Sequence, residues 1–117
     1  MEISSHTKTL FFSQMSEDIK EMAPHYLNNR VIDTRDMFRY LDARDYTSID
    51  FICHKIKGSA AGFGFPTLTE IAIQIQENIA NNRYENIPKL LFDMEYEIVD
   101  LYRCCLNSPM KNISHPP

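Results

Sequence analysis

The segment CHKIKGSAAGFGF, residues 53–65, places His54 three residues before Lys57 and four before Gly58. It also holds all three glycines of the chain, Gly58, Gly62 and Gly64. An imidazole has an unperturbed pKa of about 6.5, so much of it is a neutral nucleophile near pH 7. A lysine one turn further along a helix adds a positive charge beside it. Glycine inside a helix costs roughly 0.5–1 kcal/mol relative to alanine. A merely solvated face has no need of that cost, so Gly58 reads as clearance for something large.

Those residues need an element to hold them, and the surrounding pattern is helical. Ile49, Ile52, Cys53, Ile56, Ala60 and Phe63 recur at helical spacing and predict a helix over 47–63. Residues advance by about 100° around a helix axis. With Ile49 at zero, the apolar stripe centres near about 345° and His54 falls at about 140°, on the outer face. Thr47, Asp50, Phe51, Gly58 and Ala61 share that face, with Lys57 at its flank. Phe51, Thr47, Lys55, Gly58 and Ala61 are therefore the expected docking patch. The segment GFGFP ends the helix, with glycine in the closing turn and Pro66 opening the next helix.

The rest of the chain repeats the same design. From Ser16, a plausible N-cap, the apolar face is Ile19, Met22, Ala23, Tyr26, Leu27, Met37, Phe38 and Leu41. Pro24 predicts a break or kink near residue 23. Leu68, Ile71, Ala72, Ile75 and Ile79 form the next stripe. Ile87, Leu90, Leu91, Met94, Ile98, Leu101 and Cys105 form the last, with Asn86 as a possible cap. Asp42, Asp45 and Asp50 read as turn and capping residues. No strand pattern is present. Short loops between long amphipathic helices predict an all-α fold, an antiparallel up-down four-helix bundle with a possible short extra N-terminal helix. The 117 residues suit one domain, its core at about 16–106 and a frayed polar tail at 107–117.

Composition narrows the function classes. A net charge of −4 without a basic run argues against nucleic acid. No apolar run approaches the roughly 20 residues that span a bilayer. The start, MEISSHTKTLFF, lacks the features of a signal peptide, and a cytoplasmic location is expected. Three cysteines with no CxxC pair fit reduced structural thiols better than a disulfide framework or zinc site. His6, His25 and His115 match no motif and are expected to face solvent.

The run His54, Lys57, Gly58, Ser59 and the later Gly64 resembles the H-x-x-K-G-S signature of histidine-containing phosphotransfer (HPt) domains of two-component phosphorelays. The likeness extends helix by helix over residues 26–79. It implies that His54 accepts a phosphoryl group from an aspartyl phosphate on a receiver domain and passes it to another receiver. Lys57 would then neutralise phosphoryl charge. Gln76, at the place where the family often has glutamine or glutamate, would accept from Nδ1–H of His54 or else face water. Ser59 would be a packing or backbone-bonding residue and Gly64 a turn residue. No ATP lid or phosphate-cradling loop is present, so self-phosphorylation from ATP is not expected. No cofactor is expected on this chain. Any Mg²⁺ would come with the partner, a receiver domain of a response regulator or hybrid kinase, and a monomer suits such partners. The alternatives are a binding-only module that docks on and titrates a receiver, and a plain helical adaptor.

Overall fold

The computed structural model describes residues 3–107. Helix α1 spans Ser5–Ser13, α2 Glu17–Asp42, α3 Tyr46–Phe63, α4 Pro66–Ala80 and α5 Ile87–Asn107. A short 3₁₀ turn, Tyr84–Asn86, leads into α5. No strand occurs among the described residues. Helices α2 to α5 close a ring in which each packs on the next and α5 returns to α2. Two cross-helix pairs fix the antiparallel sense of α2 and α3. Tyr26 meets Ser59 and Met37 meets Cys53 between α2 and α3. Phe38 meets Phe92 between α2 and α5. This is the expected bundle, and α1 is the expected extra helix, laid along α5.

Caps and turns explain the boundaries. Ser16 accepts from the amide of Ile19 and starts α2. Asp45 accepts from the amide and hydroxyl of Ser48 and starts α3 at Tyr46, one residue before the expected Thr47. These bonds favour the ionised form and hold the Asp45 carboxyl below its ordinary pKa. Gly64 closes α3 at φ 80°. The Phe65 amide reaches back to the Ala60 carbonyl (2.9 Å) and the Gly64 amide to that of Ala61 (3.0 Å), a Schellman closure. Pro66 then opens α4.

Two expectations on α2 need correction. The break expected near residue 23 does not occur, and the helix continues through Pro24. Proline lacks the amide for the i to i−4 bond and costs about 3 kcal/mol inside a helix. Burial of Ala23, Tyr26 and Leu27 around it offsets that cost and holds one continuous helix. Ile19 and Met22, expected in the core, are instead exposed at 36% and 59%. The inward positions of this end are Lys20, Ala23 and Leu27. Asn86, expected to cap α5, donates its side-chain amide to Asn78 on α4. His115 and the tail from residue 108 lie outside the described residues.

The core joins all five helices through Phe12, Leu27, Met37, Ile49, Ile56, Ile75, Leu91, Met94 and Ile98. A polar pin fastens α1. Buried Lys8 lies 2.9 Å from Glu97 and 2.7 Å from Asp100, both on α5. The Ser5 hydroxyl also donates to Asp100. Burial disfavours the Lys8 ammonium, but hydrogen bonds to Asp100 and Glu97 outweigh it and raise its pKa. Burial likewise opposes the Asp100 carboxylate, and Lys8 and Ser5 overcome it and lower its pKa. No helix is long and apolar enough to cross a membrane among the described residues.

Candidate functional site

The site is built on the middle of α3. Ile49, Ile52, Cys53, Ile56 and Ala60 turn inward, which drives the residues between them outward. His54 is exposed at the midpoint of the helix, as the 3.6-residue period requires. Lys57 is half-buried one turn later. Helical side chains lean toward the N-terminus, so Lys57 leans back toward His54. Lys57 forms no ion pair among the described residues. Its ammonium is available to an incoming anion.

The floor beside the imidazole is flat. Gly58, Ala61 and Gly62 are exposed. A Cβ built on Gly58 or Gly62 would meet nothing within 4 Å, so neither glycine is there for close helix packing. Gly64 differs. Its left-handed backbone suits glycine, and a Cβ there would sit 3.1 Å from the Phe11 ring.

Phe51 and Lys55 border the histidine on the α2 side. Phe51 is 61% exposed, and the Lys55 ammonium stands 4.9 Å above its ring centre. With exposed Thr47 they line a groove against Asp33, Asp36 and Tyr40 of α2. Beyond the glycine floor, Ile19 and Met22 of α2 line a second, apolar groove with Ser59, Gly62 and Phe63. These two residues carried no functional signal in sequence. Their helical spacing matched a core stripe, and only packing shows which edge of that stripe is left open.

Ser59 ties the site to α2. Its Oγ donates to the Lys55 carbonyl (3.0 Å) and lies 2.6 Å from the Tyr26 hydroxyl. Tyr26 in turn stacks on Phe63 and carries the Arg30 guanidinium over its ring.

Gln76 is placed beside α3, but its amide nitrogen points to Asp50. It lies 3.2 Å from Oδ1 and 3.4 Å from the main-chain carbonyl. Both contacted atoms are acceptors, so the donor end of the amide is fixed there. The expected bond from His54 Nδ1–H to Gln76 is not formed. His54 makes no hydrogen bond among the described residues. Asp50 is therefore not a simple cap. It is a half-buried acceptor one turn before His54.

His6 is exposed on α1, and His25 is exposed and pairs with Asn29 on its own helix. No group of three or more His, Cys, Asp or Glu side chains converges to hold a metal ion among the described residues.

The family model of the Hpt domain matches residues 6–102 of the chain. No curated protein and no solved structure matches it.

Proposed function

The chain belongs to the Hpt domain family, and from that premise we propose that His54 is a phosphoacceptor that relays a phosphoryl group between receiver domains. At the family level, Hpt domains serve phosphotransfer in two-component signalling and interact with receivers. The observation that carries the specific reading is the exposed His54 at the middle of α3, with Lys57 one turn on and an open glycine floor beside it.

The partner is a large, folded surface rather than a small molecule. His54 stands on an open helix face, and the exposed side chains around it suit a broad docking area. Phe51 and the Ile19–Met22 groove offer apolar contacts on either side. Transfer between an aspartyl phosphate and imidazole relies mainly on in-line positioning and charge stabilisation. Lys57 supplies the charge. At an effective dielectric of 20, opposite charges 4 Å apart attract by about 4 kcal/mol before solvent screening. Mg²⁺, on this reading, belongs to the receiver. The protein acts in the cytoplasm as a monomer.

The test is phosphoryl uptake from a phosphorylated receiver, with the label probed by acid and base. Acid-labile, base-stable label that is lost in His54→Gln supports the carrier. Binding to receivers without any uptake moves the protein to the module that only docks and titrates. Neither binding nor uptake leaves a helical adaptor.

A further inference from the structure

We propose that Asp50 is the positioning residue for His54. Its carboxylate accepts the Nδ1–H of the imidazole and leaves Nε2 as the attacking atom, and Gln76 acts through it as a clamp. This inference rests on the phosphoacceptor reading above.

Helix geometry brings the two side chains together. Asp50 and His54 are four residues apart on one face of α3, where Cβ atoms lie about 5–6 Å apart. Side chains lean toward the N-terminus, so the imidazole leans over the turn that carries Asp50. The other outward-facing residues of α3 within a turn cannot accept. Phe51 and Gly58 have no polar side-chain atom, and Lys55 and Lys57 are donors only. Thr47 is nearly two turns away.

The clamp explains why the carboxylate is ready. Gln76 donates to Oδ1 and to the Asp50 carbonyl, which fixes the side chain against α4. Oδ2 has no hydrogen-bond partner among the described residues. An exposed imidazole reorients on the picosecond to nanosecond scale and can reach it without moving the backbone.

The chemistry gives the pairing a purpose. The Nε2 lone pair attacks phosphorus, and the bond from phosphorus to the receiver's carboxylate oxygen breaks, its electron pair staying on that oxygen. The Nδ1 proton does not leave. The product ring is a phosphoimidazolium, and the positive charge that develops on it faces the Asp50 carboxylate. A fixed charge at that position stabilises the transition state without reorganisation. One turn further along the helix Lys57 serves the phosphoryl oxygens, so the two charges divide the work.

The experiment is ¹⁵N NMR of the imidazoles in the full chain at a pH where His54 is neutral, assigned by difference from His54→Gln. The same preparations are then assayed for phosphoryl uptake from a phosphorylated receiver. Wild type should hold the Nδ1–H tautomer. Asp50→Ala should shift His54 toward Nε2–H and slow uptake roughly ten- to hundredfold, the span of a charge-assisted hydrogen bond. Asp50→Asn, which keeps the shape and loses the charge, should fall between. Gln76→Ala should cause a smaller shift, and none in an Asp50→Ala background.

An unchanged tautomer ratio in folded Asp50→Ala and Asp50→Asn overturns the proposal. Independent, additive effects of the Gln76 and Asp50 substitutions overturn the clamp. Wild-type uptake with Asp50 variants at full rate leaves the carrier standing and removes Asp50. The expected tautomer shift in the Asp50 variants, with no phosphoryl uptake by the wild-type protein, removes the carrier and leaves the pairing.

Discussion

Each small or charged residue around His54 has a separable consequence. Lys57→Ala should slow uptake or shorten the lifetime of the phosphohistidine, with the melting temperature little changed. Label decay and uptake rate measure this, and wild-type values for both would remove Lys57 from the mechanism. Gly58 gives a sharper pair, because a Cβ there meets nothing. Gly58→Ala should raise stability by about 0.5–1 kcal/mol, the helix cost of glycine, as read by denaturant melts. Gly58→Leu should keep that stability and weaken receiver binding. Gly64→Ala goes the other way. Its left-handed φ and the nearby Phe11 ring predict a loss of roughly 1–2 kcal/mol. The sequence made His54, Lys57 and the glycines legible because helical period alone decides which face they occupy. It did not reveal the partner of Gln76. That depends on how α4 is rotated against α3, which turns the Gln76 amide nitrogen onto two acceptors of Asp50.

At the scale of elements, helix type and order follow from apolar period and short loops, and caps at Ser16, Asp45 and Gly64 set the ends. Pro24 causes no break, because local propensity says nothing about the burial that holds α2 continuous. The pin between α1 and α5 was also hidden. Lys8, Glu97 and Asp100 look like surface charges in sequence, and only the docking of α1 buries them. Lys8→Ala should cost about 3–5 kcal/mol, the usual penalty for breaking a buried ion pair. The pH dependence has two limits. The Asp100 pKa is lowered, so its contribution is complete above the ordinary value of 3.8 and is lost as pH falls through the folded value below that. The Lys8 pKa is raised, so its contribution is complete below 10.5 and is lost as pH rises through the higher folded value. Thermal melts between pH 2 and pH 5 should show an acid loss of stability (roughly this window, from carboxylate titration) that is smaller in Lys8→Met. Parallel acid profiles for the two proteins would contradict the pin.

The whole molecule is a scaffold that keeps its thiols inside and the His54 imidazole outside. All three cysteines are buried. Burial first, and then the charges of Asp50 and Asp33, push the Cys53 thiol up to about 12. Thiol reagents at neutral pH should therefore label Cys53 only through unfolding, at a rate that rises with denaturant. Fast labelling of native protein would mean that the α2–α3 seam opens locally. The face around His54 has a further implication for traffic. On the proposed reading, one acceptor nitrogen stands at the centre of one helix with the docking residues around it. A donor seated there covers the imidazole, so an acceptor must wait for the donor to depart. On the proposed reading, exchange through this protein is a double displacement. Initial rates plotted against donor and acceptor should give parallel reciprocal lines, and excess of either unphosphorylated receiver should act as a competitive brake on the other.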